Sequence, residues 1–249
     1  MKTEMDGLVL TEQTTDDESR YIRILTRKQG VISCYARGSK NIKKSIFAPT
    51  QPLCYSRFEL FSGKRGYIID DAELNKSFYD LRVSVEKLAL AQYICELILK
   101  NIGSGVSASE HLDLALNSLY VLEGNEKPLE LVKAVFELRL AELLGFMPNV
   151  LYCEKCGAYE SDIMYYELLK NCLYCSDCCD GNENMLRLSK GALAAVRYIL
   201  LAEPKKLFSF SISQESLEQL AQFAEGYMLS VSLSYPKTID YYKQITSMM

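Results

Sequence analysis

The chain has 249 residues, of which 49% are apolar, and a formal net charge of −4. This length and composition predict an ordinary globular protein with one large domain or two small ones. No run of about 18 apolar residues lacks charges, which excludes a membrane-spanning helix. Nine cysteines without a charged-then-apolar signal segment predict a reducing, cytoplasmic (nucleoid-associated) location.

The N-terminal third is predicted to form five short β-strands. Apolar and polar residues alternate in the second of these, where Tyr21 and Arg23 are interleaved with Ile22 and Ile24. Glycine-containing turn signals at 28–30 and 62–66 separate neighbouring strands. Five strands of this size suit a small closed barrel of the OB type. The predicted strands are 7–11, 21–26, 31–37, 54–61 and 67–70.

A strongly basic block coincides with these strands. Between Arg20 and Arg65 there are eleven Lys and Arg residues and a single acid, Glu59, so the block carries +10 and the rest of the chain −14. A cationic block within an acidic protein favours a phosphate-binding surface, although a solvated face of strands would also explain it. The candidate DNA-binding residues are Arg37, Lys40, Lys43, Lys44, Arg20, Arg23, Arg27, Lys28, Arg57, Lys64 and Arg65.

Aromatic residues are interspersed with this charge. In an OB barrel a cationic groove follows the backbone of a single strand while rings stack on bases. Tyr35, Phe47, Tyr55 and Phe58 are the candidate rings. Each of them, taken individually, suits the barrel core better than a stacking surface.

After Phe78 the apolar spacing becomes helical. Apolar residues recur at intervals of three and four over 88–99 and again over 129–143, which predicts two core-facing helices. Ser107 and Glu110 predict a capping box for a helix that extends to residue 122. Pro128 suits a first helical turn, and helical spacing resumes over 190–201 and 214–233. We therefore expect an OB domain over 1–80 and a helical domain over 81–249.

Two close cysteine pairs interrupt the helical part. Cys153-x-x-Cys156 and Cys175-x-x-Cys178 are separated by eighteen residues, a spacing that brings four thiolates around one Zn²⁺. Four sulfurs would complete the tetrahedron, so the predicted zinc is structural, in a module at about 150–182 inserted between helices. Cys172 could replace Cys175, and free or redox-active thiols are the alternative to a metal site.

Catalytic signals are weak. Residues 38–45 imitate a phosphate-binding loop, but Lys43 stands where that motif requires its second glycine, and Pro49 and Pro52 block the helix that should follow. His111 is the single histidine, and neither it nor Cys153 begins a deaminase motif. The sequence therefore predicts a protein that is not an enzyme.

Several segments together resemble the RecO family of bacterial DNA repair and recombination proteins. They are DGLVL, LTRKQGVISCYARGSKNIKKS, QPL, DDAELNKSFYDLR, FELRLAELLGFMPNVLYCEKCG and the second cysteine pair, and they extend over essentially the whole chain. The resemblance implies an α+β multidomain protein: a five-stranded OB-fold barrel followed by an all-α domain with an inserted four-cysteine zinc module. At NCLYC the chain departs from the Gly-Gly that many members carry, but Asn171 tolerates the left-handed backbone that such a turn needs.

The resemblance also implies a function and partners. A RecO protein binds single- and double-stranded DNA, anneals complementary strands and, with RecR, helps RecA load on DNA coated by single-strand-binding protein. The acidic, hydrophobic tail of single-strand-binding protein would need an apolar cleft with a cation at its rim, for which Arg139 and Lys133 are candidates. A zinc-containing transcriptional regulator is the alternative, but no predicted helix has the basic face that base reading requires.

Overall fold

The computed structural model describes residues 2–15, 18–63, 66–180 and 185–247. The chain divides into two compact units, Met1–Asn125 with Pro236–Met249, and Glu126–Tyr235. The predicted domain boundary near residue 80 stays a prediction, because a compact unit need not be an independently folding domain. Within the described ranges, no helix combines the length and apolarity that crossing a membrane requires.

The first unit contains a closed five-stranded barrel. Its strands follow the order β1-β2-β3-β5-β4 around the barrel, and β3 and β5 are parallel whereas the other neighbours are antiparallel. This closed Greek-key arrangement confirms the predicted OB-type barrel. The strands are β1 (Lys2–Thr14), β2 (Arg20–Thr26), β3 (Gly30–Ala36), β4 (Cys54–Gly63) and β5 (Gly66–Ser77).

Alternation along β2 determines which side chains fill the barrel. Ile22 and Ile24 are fully buried in its core, whereas Tyr21 and Arg23 are exposed. The alternation ends at Leu25, which is also buried although it is on the outward side. One outward face of β2 and β3 is therefore left to solvent near Tyr21 and Arg23.

The helices of the first unit are a short 3-10 helix (Tyr79–Arg82), α1 (Val85–Asn101), α2 (Ser109–Gly124) and α6 (Thr238–Thr246). The predicted capping box at Ser107 is wrong, because α2 starts after Ala108 without a side-chain cap. The Ala108 N–H instead donates to the Arg27 carbonyl at 2.8 Å, so tertiary pairing with the barrel's β2–β3 turn sets this helix start. The buried residues of α1 are aliphatic apart from Tyr93 and Cys95.

In its described residues, the second unit contains three α-helices, a short 3-10 helix (Pro204–Lys206) and one small sheet. Its helices are α3 (Leu129–Leu143), α4 (Lys190–Leu201) and α5 (Gln214–Val231). Between α3 and α4 lie β6 (Ile163–Glu167), β7 (Cys172–Cys175) and β8 (Met185–Ser189), antiparallel in the order β7-β6-β8. The cysteine segment is thus inserted between helices, as predicted, but its sheet was not predicted.

Helix α3 is buried on nearly every side, and not on one face as its spacing predicts. Its core includes charge: Lys133 is 4% exposed and Glu137 is fully buried. The Lys133 ammonium lies 2.8 Å from Glu137 and 2.9 Å from Glu225 on α5. Burial lowers the pKa of Lys133, but the two carboxylates raise it above its ordinary value, so the ammonium stays charged.

Candidate nucleic-acid interface and metal centre

The cationic loop, which we define as residues 37–45, follows β3 as predicted. Near its start, Gly38 has a left-handed backbone (φ +62°) and donates its N–H to the Ser19 hydroxyl at 2.9 Å. Successive turns then close between Gly38 and Asn41 and between Asn41 and Lys44. The segment is built from turns and not from a helix, which agrees with rejecting the phosphate-binding loop.

Four cations of this loop are exposed: Arg37, Lys40, Lys43 and Lys44. Two of them donate hydrogen bonds to neutral backbone carbonyls: Lys40 to Thr15 at 3.0 Å and Lys44 to Arg37 at 3.4 Å. Within the described part of the chain, no carboxylate forms an ion pair with any of the four. The loop therefore presents four positive charges to solvent within eight residues, an arrangement that favours phosphate binding.

Arg20 holds this loop from inside the barrel. The side chain is 3% exposed, its Nη1 lies 2.6 Å from Glu12 Oε2, and its Nε donates to the Ser39 hydroxyl at 3.0 Å. The guanidinium also lies 5.4 Å from the centre of the Phe47 ring. Its assignment as a DNA contact is therefore corrected: a guanidinium so enclosed positions the loop and does not reach a phosphate.

The remaining candidate DNA-binding cations differ in exposure and in whether a carboxylate pairs with them. Arg23 and Lys28 are exposed. Arg27 is 2.7 Å from Asp113, and Arg57 is 3.3 Å from Asp6; in both arginines the hydrogen bond that the guanidinium donates to the carboxylate raises the pKa. Each of these two charges is partly cancelled by its partner. Lys64 and Arg65 lie outside the described residues.

The second candidate site is the cysteine cluster, which we define as Cys153, Cys156, Cys175 and Cys178. Their four sulfur atoms all lie within 4.8 Å of one another, and those of Cys156 and Cys175 are 3.6 Å apart. Zn–S bonds of about 2.3 Å in a tetrahedron give S···S separations of about 3.8 Å. The geometry therefore fits a four-sulfur metal site.

Backbone turns shape the two halves of the cluster. Gly157, with a left-handed φ of +73°, donates its N–H to the Cys153 carbonyl at 2.9 Å. Burial raises the pKa of Cys153. Hydrogen bonds from the backbone N–H groups of Cys175, Cys156 and Lys155 outweigh this effect and lower the pKa to about 6. Amide groups that point at a sulfur in this way favour the thiolate, which is the form that binds metal.

Strand geometry distinguishes Cys175 from Cys172, the alternative third ligand. Cys172 and Cys175 begin and end β7, and an odd separation along a strand turns two side chains to opposite faces. Cys172 is buried away from the cluster. Asn171 has a φ of +52°, so the left-handed turn that the departure from Gly-Gly requires is present. Cys179 is also outside the cluster and contacts the Met185 sulfur at 3.3 Å.

Arg197 on α4 anchors the first cysteine pair, a role that the sequence did not reveal. Its guanidinium donates to the carbonyls of Val150 and Leu151 at 2.7 Å and of Tyr159 at 2.8 Å. It also lies 3.9 Å from the centre of the Tyr159 ring. These acceptors bracket Cys153 and Cys156 in the chain, so Arg197 joins the module to the helices of the second unit.

The two predicted partner-binding cations on α3 already interact with groups of the protein itself. Lys133 is buried between two carboxylates and cannot be the rim cation of a cleft. The Arg139 side chain is 13% exposed and donates to the Leu200 carbonyl at 2.8 Å. An apolar groove of about 370 Å³ in the same unit was not predicted; it is lined by Met147, Pro148, Val150, Leu151, Leu200 and Arg197, among others.

An OB barrel with an exposed cationic loop, in one chain with a helical unit that carries a four-cysteine cluster compatible with a metal ion, is the arrangement of one class of DNA-handling protein. Residues 1–78 match the family Recombination protein O N terminal, and residues 82–236 match Recombination protein O C terminal. The chain therefore belongs to the RecO family of DNA repair proteins, which are recombination mediators and not enzymes.

Individual relatives agree with this assignment. The chain is 36% identical over 241 residues to the DNA repair protein RecO of Acetivibrio thermocellus, covering 94% of this chain and 96% of the relative. It is 28% identical over 230 residues to the protein of the same name from Symbiobacterium thermophilum, covering 91% and 90%. With that of Alkaliphilus metalliredigens it shares 25% identity over 229 residues, covering 92% and 93%.

Proposed function

We propose that this protein binds single- and double-stranded DNA without sequence preference and anneals complementary strands. With RecR, it helps RecA load on DNA coated by single-strand-binding protein. The observation that carries the DNA-binding part is the cationic loop, with four exposed cations that lack carboxylate partners in the described structure. Annealing brings two polyanions together, so it needs a surface that neutralises both backbones without reading bases.

The test is to replace Arg37, Lys40, Lys43 and Lys44 together by Ala. Each phosphate contact contributes about 0.7 to the slope of log affinity against log salt for single strands, so the slope should fall by about 3. Binding should weaken for all sequences alike, and annealing should slow with it. Fluorescence anisotropy over a salt series and a strand-annealing assay measure the two effects.

A matched control removes the same number of charges elsewhere. Lys170, Lys190, Lys205 and Lys206 are exposed in the second unit, and their replacement by Ala changes the net charge equally. This control should keep most of the DNA affinity. If the loop variant folds normally yet keeps its affinity and salt slope, the DNA lies on another face of the protein.

Sequence independence separates this proposal from a transcriptional regulator. A regulator prefers one site by about a thousandfold or more. Competition with unrelated DNA sequences should displace the protein about equally well at equal length. A strong preference for one sequence would contradict the mediator function.

We propose further that the cysteine cluster holds one structural Zn²⁺. All four positions would be filled by sulfur, which leaves no open coordination site for substrate or water. The zinc would join the two cysteine pairs, while Arg197 fixes the first pair to α4. Elemental analysis of the purified protein should give one zinc per chain.

The acidic tail of single-strand-binding protein is proposed to dock on the second unit. Its hydrophobic residues would enter the apolar groove lined by Leu151 and Leu200, and its carboxylate would meet a cation nearby. Arg139 remains the candidate cation because its guanidinium donates a hydrogen bond to the carbonyl of Leu200, a residue that lines the groove. Titration of a labelled tail peptide should show weaker binding to Arg139→Ala, whereas unchanged affinity would place the cleft elsewhere.

A further inference from the structure

Two tyrosines form a pair on the outer face of the barrel. Tyr21 on β2 is directly opposite Tyr35 on β3, and their ring centres are 5.1 Å apart with an interplanar angle of 47°. Tyr21 is 45% exposed, and Tyr35 is half-buried. In the next strand of the barrel, β5, the exposed Ile68 is the register partner of Tyr35. The three side chains form a row across three adjacent strands.

Two grooves meet at this row. One, of about 230 Å³, extends from Tyr21 and Tyr35 towards the β4–β5 turn at Gly63 and Gly66. The other, of about 620 Å³, extends towards the cationic loop. Tyr35 and Ile68 line both grooves, so these two side chains form the ridge between them.

The second groove is cationic at the wall that the loop provides. Arg37 and Lys44 line it there, together with Ser45. Asp70 lies on the β5 side of the groove, and 3.6 Å separates its carboxylate from the Lys2 ammonium, which partly offsets its charge. Rings and phosphate-binding cations thus occupy one continuous surface, the combination by which single-stranded nucleic acids are bound.

We propose that Tyr21 and Tyr35 stack on unpaired bases of single-stranded DNA whose phosphates lie along Arg37 and Lys44. This inference rests on the proposed DNA-binding function and adds a division of roles to it. The loop cations contact any phosphate backbone, single or double. The rings need the open face of a base, which a duplex covers by stacking, so they favour single strands.

The absence of tryptophan from the sequence provides a direct probe. In a Tyr21→Trp variant the new indole is the single tryptophan, and its fluorescence should be quenched by oligo(dT), because stacking brings a base against the ring. A blunt duplex should bind without comparable quenching. If oligo(dT) binds by anisotropy but leaves the fluorescence unchanged, the stacking proposal is overturned.

Substitution variants supply the second readout. Base–ring stacking changes affinity by about 5- to 150-fold per base when the ring is removed. Tyr21→Ala and Tyr35→Ala should therefore bind oligo(dT) at least fivefold more weakly with an unchanged salt slope, and duplex less than twofold more weakly. Tyr21→Phe and Tyr35→Phe should retain affinity. Tyr120→Ala, which removes an exposed ring on α2, is the matched control.

The outcomes separate this inference from the function on which it rests. If the cationic-loop variant loses DNA but the tyrosine variants bind like the unchanged protein, the two rings are an ordinary cross-strand pair and only the stacking inference fails. Equal losses on oligo(dT) and duplex would also overturn it, because they would indicate damage to the barrel. If the unchanged protein binds neither DNA, both proposals fail.

Discussion

Replacing Cys175 by Ser tests the proposed metal centre. Cys175 lies at the end of β7, and its sulfur is 3.6 Å from that of Cys156. Serine keeps the side-chain size but replaces a soft thiolate by a hydroxyl, which is a poor zinc ligand. We expect the variant to lose its zinc. Cys172→Ser, a change of equal chemistry three residues earlier in the same strand, should keep it.

The size of the effect follows from what else holds the module. Structural zinc contributes on the order of 10 kcal/mol to folding in isolated fingers. Here the sheet has packing of its own: Tyr166 is fully buried and makes an edge-to-face contact with Phe223, with ring centres 4.9 Å apart. Loss of the metal should therefore loosen the cysteine turns and leave the helical core of the second unit folded.

Hydrogen exchange measures this local loosening. If half of the roughly 10 kcal/mol is lost locally, amide exchange near Cys153 and Cys178 should accelerate by about a thousandfold or more, whereas the amides of α3 should change little. Purified protein without metal, prepared under reducing conditions and equally protected, would refute the zinc site. Zinc retained in Cys175→Ser but lost in Cys172→Ser would reassign the third ligand.

Three further predictions concern buried and partly buried ionisable side chains. Arg20→Lys keeps the charge but loses the forked contacts to Ser39, so DNA binding should weaken and the free energy of unfolding should fall by about 1.5–3 kcal/mol; unchanged affinity and urea midpoint would contradict this. Lys133→Met should cost about 3–5 kcal/mol in denaturant unfolding, because it leaves Glu137 buried without its counter-ion, and Lys133→Met with Glu137→Leu should recover much of the loss. Burial lowers the pKa of His111 in the folded protein, so that at falling pH the unfolded chain binds the proton first. The free energy of unfolding should therefore decrease as the pH falls below about 6.5, and it should decrease less in His111→Gln.

The barrel was predictable where residues alternate locally. Ile22 and Ile24 indicate an inner face of β2 without knowledge of the neighbouring strands. The predicted fifth strand ended at residue 70, yet β5 continues to Ser77. The added residues are mostly acidic or otherwise polar, and they become a strand because they pair with β4. Helix α6 was missed as well, and its start is held by Glu96 of α1, which accepts hydrogen bonds from Thr238.

The candidate metal site was predictable from spacing, but its anchoring was not. Two Cys-x-x-Cys pairs identify four candidate ligands because the turns are local. The choice between Cys172 and Cys175 depends on which face of β7 each side chain occupies. Arg197 bonds to the carbonyl of Val150, 47 residues earlier in the chain, and no local pattern encodes that contact.

The basic block contains more cations in the sequence than the folded protein leaves available for contact with phosphates. Eleven phosphate contacts would give a salt slope of about 8 for single strands. Nine of the eleven cations lie in the described residues; Arg20 is enclosed with Glu12, and Arg27 and Arg57 have carboxylate partners. Six exposed cations remain, which predicts a slope of about 4, and Lys64 and Arg65 would each add about 0.7 at most. A measured slope near 8 for oligo(dT) would mean that DNA displaces these carboxylates or contacts the second unit as well, and the quadruple loop variant would then lose less than half of it.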